Sequence, residues 1–301
     1  MTDPMTAGAG EHRQPRGELP GWAENMTDLH VHAAPSLLPR HGNDAQTRAA
    51  EQRVGFSTIV LKAHEGSTVE RAAALNDAAD HDGVATVYGG IVLNSPVGGA
   101  NPDAVEVAAR LGGRVTWMPT VSAPNHKRGA SSPELSVHRG FELRAVDIID
   151  DAGHLLSGWH DVLDVIAAHD LLLASGHLSA DETVLLFTEA RRHGVQRLMV
   201  NHPLMAFLHW NDACAQALQA LDVYLELGIL PDLLGDAEHA SLNLTHTYPA
   251  SLLVFGGDLG HAHHPGPDSA VVPWLSDLER RVGPERAAAI MTTQTRELLL
   301  P

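Results

Sequence analysis

Eight short runs rich in Val, Ile and Leu recur along the chain, and most are followed by an Ala-rich stretch with helical spacing. They are "MTDLHVH" (26–32), "STIVLKAH" (57–64), "ATVYGGIVLN" (85–94), "RVTWMPT" (114–120), "LLLASGHLS" (171–179), "RLMVNHP" (197–203), "VYLELGIL" (223–230) and "LLVFGGDLG" (252–260). A short apolar run bounded by turn residues reads as a buried strand. Strands that alternate with helices pair in parallel, because each helix carries the chain back to the start of the next strand. Eight such units in 301 residues predict a closed (β/α)8, or TIM, barrel. An open doubly wound sheet is the alternative. No strand–turn–helix here carries a Gly-rich nucleotide fingerprint: "GGANP" lacks the spacing, and no P-loop pattern occurs.

One connection breaks the rhythm. Residues 121–170 separate the fourth and fifth strands and begin with the polar stretch "APNHKRGASSPELSVHRG". A small hairpin turned at Asp151-Ala152-Gly153 follows, then a helix through "GWHDVLDVIAAHD". An insertion of that length is expected to serve as a lid over the site. Residues 1–22, rich in Gly, Pro and charge, read as a flexible arm, and 23–301 as one barrel domain.

Composition removes several function classes. With 37 acidic against 20 basic residues the net charge is −17, which disfavours nucleic acid and anionic membrane as partners. No apolar run approaches the ~20 residues of a membrane span, and the N-terminus does not read as a signal peptide. The single cysteine, Cys214, forbids an intramolecular disulfide and suits a reducing, cytoplasmic setting. It lies in the helical pattern "NDACAQALQAL" and reads as a buried thiol.

Barrel sites lie at the C-terminal ends of the strands, so the polar groups there are diagnostic. The first strand ends in His30 and His32, the second in Lys62 and His64, the third in Asn94 and the fourth in Thr120. The fifth ends around His177, the sixth around Asn201 and His202, and the eighth in Asp258, while the seventh carries Glu226. Side chains two apart on a strand share a face, so both His30 and His32 can reach one metal ion. A histidine from the fifth strand and an aspartate from the eighth would complete a shell of three nitrogens and one oxygen. That donor set suits catalytic zinc, and also Mn, Fe or Co. The HxH motif alone is weak in a chain with 20 histidines, and "HAHH" at 261–264 contains another. Its weight comes from the joint pattern across four strand ends.

"TDLHVH", with His177, His202 and Asp258 at the later strand ends, resembles the amidohydrolase superfamily of metal-dependent barrel enzymes over residues 26–300. The resemblance implies that His30, His32, His177 and Asp258 hold one divalent metal ion. It implies that Asp258 takes a proton from the reacting water and that His202 contacts substrate and that water. The chain departs from the two-metal pattern, since its fourth strand ends "WMPT" with neither lysine nor carboxylate. Lys62 has three readings: a cation for a substrate carboxylate or developing oxyanion, a carboxylated second-metal bridge, or a partner of Glu226. His64, Asn94, His126 beside Asn125, and His261 beside His263 are expected to line the substrate pocket; Glu226, inside its strand, either joins them, orients a ligand histidine or balances Lys62.

The resulting expectation is hydrolysis of a C–N (amide, imide) or lactone-type bond in a small, carboxylate-bearing molecule. A decarboxylase on the same fold is the nearest rival. A phosphoesterase of the polymerase and histidinol phosphatase type, and a non-catalytic small-molecule binder, stand further off. A homodimer is expected from the way such barrels pair.

Overall fold

The computed structural model describes residues 18–79, 83–129, 142–234 and 241–300. Eight strands form one parallel sheet in sequence order: β1 (Met26–His32), β2 (Phe56–Lys62), β3 (Thr86–Val92), β4 (Val115–Trp117), β5 (Leu172–Ala174), β6 (Arg197–Val200), β7 (Tyr224–Leu227) and β8 (Leu253–Phe255). The barrel closes between its last and first strands. His32 N–H donates to Leu259 O at 2.9 Å and Asp258 N–H to His30 O at 2.8 Å. The fold is therefore the expected (β/α)8 barrel.

Two apolar layers fill it. Leu29, Val60, Val92, Val115, Trp117, Leu172 and Met199 belong to the inner cluster, which Leu298 and Leu299 of the C-terminal helix join. A larger cluster, including Phe56, Trp159, Phe187, Leu225 and Trp274, packs strands against helices. Burial on both faces is why the strands read as continuous apolar runs rather than alternating ones. Local signals start the helices: Asn43 caps Asp44–Arg53 in a reciprocal box with Gln46, and Ser179 caps Ala180–Arg192 with Glu182.

Strict alternation fails in β1. Its pairing with β2 shifts register between Asp28 and Val31, so Leu29 joins the inner cluster while His30, next in sequence, faces the Trp117 ring of that cluster at 6.4 Å. A bulge is the device that puts consecutive side chains on one side.

The strands stop short of the runs read from sequence. β5 ends at Ala174, β6 at Val200 and β8 at Phe255, each before its polar residue. The backbone leaves the extended region there: φ is +62° at Gly176, +37° at His202 and +52° at Asp258. A Cβ on Gly176 would lie 2.3 Å from Met118 O, so only glycine fits before His177.

The insertion between β4 and β5 starts with a short helix, Pro124–Gly129, and ends with the helix Ser157–Ala168. Between them the chain turns at 151–153, with Asp150 N–H donating to His154 O and Leu156 N–H to Ile148 O, both at 2.9 Å. Most of the expected arm, 1–17, and the middle of the expected lid, 130–141, lie outside the described residues. The end of the arm is docked, with Trp22 Nε1 donating to Glu279 at 2.9 Å. Among the described residues no helix is long and apolar enough to cross a membrane.

Candidate active site

The strand ends converge on a buried cluster. His30 and His32 turn Nε2 toward one atom, Asp258 Oδ1, at 3.0 and 3.1 Å. One donor atom from each of the three residues lies within 4.8 Å of the others. Two imidazoles and a carboxylate are the hard and borderline donors that a zinc-like divalent cation takes, so the set fits such an ion. Burial opposes ionisation of Asp258, but the charge of His30 and hydrogen bonds from both histidines hold its carboxyl well below the ordinary range. The same carboxylate lifts His30 to about 8 against the pull of burial.

His30 is preset for ligation. Its Nδ1 lies 3.0 Å from Glu226 Oε1 on β7, and a carboxylate there selects the tautomer whose Nε2 carries a lone pair. Glu226 is fully buried and absent from the pocket wall, and its carboxylate faces His30. Asp28 Oδ1 accepts from His30 N–H at 2.8 Å and Gly257 N–H at 3.0 Å, locking β1 to the segment after β8.

Lys62 enters from the side of β2. Its Nζ lies 3.0 Å from His30 Nε2 and 5.6 Å from the Trp117 ring centroid. Burial lowers the ammonium to about 8, with Asp258 and Glu226 holding it up. It is only 1% exposed and absent from the pocket wall. Lys62 thus faces the ligand cluster itself, and a substrate carboxylate in the pocket is not its neighbour.

His177 stands beside the cluster rather than in it. Its Nδ1 meets His126 Nδ1 at 2.8 Å, and its ring centroid lies 5.0 Å from that of His202. Burial, with His126 and His202 adding, holds His177 well below its ordinary value, so it is neutral. The structure therefore gathers three of the four expected ligands, with the fourth at the pocket wall.

His202 is oriented by its neighbour. Asn201 Oδ1 accepts from Gly176 N–H at 2.9 Å, which turns its amide N–H toward His202 Nε2 at 2.7 Å. His202 Nε2 must then accept, so the ring proton sits on Nδ1, which is buried and has no partner among the described residues. Burial lowers His202 to about 3, which keeps that N–H donor neutral.

Asn94 is a brace. Its Oδ1 accepts from the N–H groups of Thr120 and Ser122 at 2.8 and 3.1 Å, and its amide donates to Thr120 Oγ1 at 2.7 Å and His64 O at 2.9 Å. It is wholly buried and touches no pocket surface, again unlike its expected role. Thr120 Oγ1 in turn meets His64 Nδ1 at 2.9 Å. Asn125 ties the insertion down by donating to His177 O and Phe207 O.

Above the cluster lies a pocket whose wall includes His32, His64, His126, His177, His202 and Asp258, with His261 and His264 at the rim. Leu38, Val121, Met205, Leu230 and Leu234 supply its apolar surface. Sequence reasoning missed this apolar surface and, among the polar members, Arg40. It lines the pocket and donates from Nη2 to His32 Nδ1 at 3.1 Å. The only signal for it was a lone cation eight residues beyond His32.

A family described as "Family of unknown function (DUF6282)" matches residues 25–226. No curated protein matches the chain in sequence. Among solved structures, an amidohydrolase from Pseudomonas aeruginosa aligns with TM-score 0.61 at 12% identity, over 92% of this chain and 96% of its own. The probable 2-pyrone-4,6-dicarboxylic acid hydrolase of Acinetobacter baumannii, solved with citric acid bound, gives 0.57 at 12%, over 91% and 99%. The probable dipeptidase PvdM of P. aeruginosa gives 0.58 at 9%, over 91% and 94%. These neighbours are hydrolases built on the amidohydrolase barrel, and at such identities they establish a shared fold. The resemblance read from "TDLHVH" and the later strand ends holds at that level.

Proposed function

The chain belongs to DUF6282, a family of unknown function, and we propose from its site that it is a metal-dependent hydrolase of small molecules. The substrate bond is a C–N bond of an amide or imide, or a lactone-type ester. The convergence of His30 Nε2, His32 Nε2 and Asp258 Oδ1 within 4.8 Å carries this reading. The hydrolase neighbours on the same barrel support it.

His30, His32 and Asp258 would hold one divalent ion, zinc first among the candidates, with His177 completing the set. Such an ion supplies Lewis acidity, acidifying water and polarising a carbonyl. The protein's own groups do the rest. Asp258 stays ionised and so can accept the proton of attacking water and return it to the leaving group. His202 presents its neutral Nδ1–H to the oxyanion that develops on the substrate. Glu226 fixes the His30 ring, and the buried Lys62 charge balances Asp258 and Glu226. The lone buried Cys214 suits a reducing, cytoplasmic compartment. Exposed Val107 and Leu111, one helical turn apart, are the kind of apolar surface that a homodimer would cover.

Metal analysis with stoichiometry tests the centre: about one ion per chain is expected, and its loss in H30A. Unchanged metal content in H30A would remove the basis of the reading. Two ions per chain would bring Lys62 in as a bridge. Turnover of a lactone and amide panel in heavy-oxygen water should place one label in the product. Release of CO2 without label would make the enzyme a decarboxylase instead.

A further inference from the structure

Among the described residues Arg40 is the one Arg or Lys that lines the pocket, and the pairing geometry around it is incomplete. Its backbone is clamped between two loops of the mouth. Arg40 pairs with His261 in an antiparallel bridge, and Ala262 N–H donates to Pro39 O at 3.0 Å. Its buried Nε has no partner among the described residues. Asp258 and Glu65 act on it through space, as does the like charge of Arg71, yet its single hydrogen bond in the described structure runs to His32 Nδ1. A guanidinium presents five donors and accepts nothing. Leaving a buried donor unmade costs more than an ordinary hydrogen bond returns.

The bond to His32 has a second consequence. Because Arg40 can only donate, His32 Nδ1 must accept, and the ring proton sits on Nε2, facing Asp258 Oδ1. Ligation through His32 Nε2 requires the opposite tautomer, with the proton on Nδ1. An N–H at Nδ1 cannot receive the Arg40 N–H. Metal binding at His32 and the Arg40–His32 bond therefore exclude each other. The guanidinium, released from His32, then turns to another acceptor; Glu65, whose buried Oε2 has no partner among the described residues, acts on it from outside the pocket wall. The pocket wall offers imidazoles, aliphatic side chains and one carboxylate, Asp258, which is itself committed to the cluster.

We propose that Arg40 is the substrate-recognition cation of this site, and that it binds a carboxylate on an otherwise apolar small molecule. This rests on the hydrolase reading for its site but not for its measurement. The carboxylate fits the fork of the guanidinium, and Leu38, Val121, Met205, Leu230 and Leu234 accommodate the apolar body. Lys62 is excluded from the role because it lies beneath the pocket wall. Neutral substrates of the same shape would lack the contact.

The test uses benzoate, its neutral isostere benzamide and inorganic phosphate, titrated calorimetrically into the full chain, both chelator-stripped and zinc-loaded. Wild type should bind benzoate at least about tenfold more tightly than benzamide, as a charge-assisted pair requires. R40M, which keeps length and removes every donor, should erase that preference. R40K, which keeps charge without the fork, should retain part of it and serves if R40M does not fold. R40M should also bind zinc as tightly as wild type or more so in a chelator competition, since it no longer holds His32 in the competing tautomer. A merely structural arginine would weaken both ligands together. Benzoate preference surviving in R40M overturns the proposal, as does phosphate outcompeting benzoate at Arg40. Failure of the metal reading would appear separately as absent metal, with the benzoate difference in stripped protein still readable.

Discussion

Gly256→Ala probes whether Glu226 sets the metal affinity of His30. Gly256 follows β8, directly across from β7 and β1. A Cβ built there lies 2.6 Å from Glu226 Cδ, 2.9 Å from Glu226 Cγ and 2.9 Å from His30 Cβ. Ordinary contact begins at 3.4 Å, so the carboxyl must retreat by 3.4 − 2.6 = 0.8 Å. Its bond to His30 Nδ1 is 3.0 Å long, and a retreat of 0.8 Å directed along that bond would stretch it to 3.8 Å, beyond hydrogen-bond range. Loss of such a supporting carboxylate typically weakens a metal site by about 10–100-fold, or ~1.4–2.7 kcal/mol. The assay is a zinc competition against a chromophoric chelator, with G256A and E226A compared to wild type at one pH. Both variants should weaken zinc by similar factors, and the double variant should add little, because one contact is removed twice. Wild-type affinity in a G256A protein that folds would show that Glu226 does not control His30.

Glu51 is wholly buried, neither carboxylate oxygen has a hydrogen-bond partner among the described residues, and burial, with Asp28 and Asp268 adding, raises it well above its ordinary 4.5. The folded chain then keeps a proton that the unfolded chain releases, so stability falls as pH rises above about 4.5. E51Q should therefore melt higher than wild type at pH 8, with the gap closing toward pH 4.5; a gap independent of pH would count against it. Arg197 Nη1 donates to Leu298 O and Leu299 O at 3.1 and 2.9 Å, holding the terminal helix that plugs the inner cluster. R197M should cost about 2–3 kcal/mol in urea unfolding, and a change below ~0.5 would show the plug is held by packing alone. Burial lifts the Cys214 thiol to about 11, so iodoacetamide at pH 8 should label it only after denaturation, as read by mass spectrometry.

What was legible in the sequence follows from which forces act locally. Every strand of the barrel overlaps a run read from "MTDLHVH" to "LLVFGGDLG", and only β2 begins outside its run, by one residue, because a strand buried on both faces shows as a run of apolar residues. The cluster of His30, His32 and Asp258 was legible for a related reason. Strand order fixes which ends meet, and the HxH motif and the GGD sequence mark those ends. Polar residues one step from the cluster carry no local signature of their role. An Asn or Glu at a strand end reads the same whether it touches substrate or braces a neighbour. Asn94 braces the β4 end and Glu226 the His30 ring, and three-dimensional placement decides between the readings. Proton positions were more remote still. That His202 offers Nδ1–H depends on Gly176 N–H having already claimed Asn201 Oδ1.

Arg40 shows where such reading stops and what replaces it. The segment "SLLPRHG" has no periodicity, so nothing in it distinguishes a site cation from a solvated one. The distance from Arg40 to His32 is set by a clamp between this loop and residues 261–262, more than two hundred positions downstream. The consequence reaches back to the motif that was legible. HxH announces two ligands of equal standing, yet the structure makes them unequal. His30 has a carboxylate at Nδ1 and is set to ligate, whereas His32 has a guanidinium there and is set against it. A site with one preset and one opposed histidine should load metal more weakly than HxH implies. It should load more tightly when a carboxylate draws Arg40 away, and by linkage the loaded metal must tighten the carboxylate equally. Zinc affinities of wild type measured with and without benzoate give that coupling directly. Equal affinities would mean that the two histidines are equivalent after all.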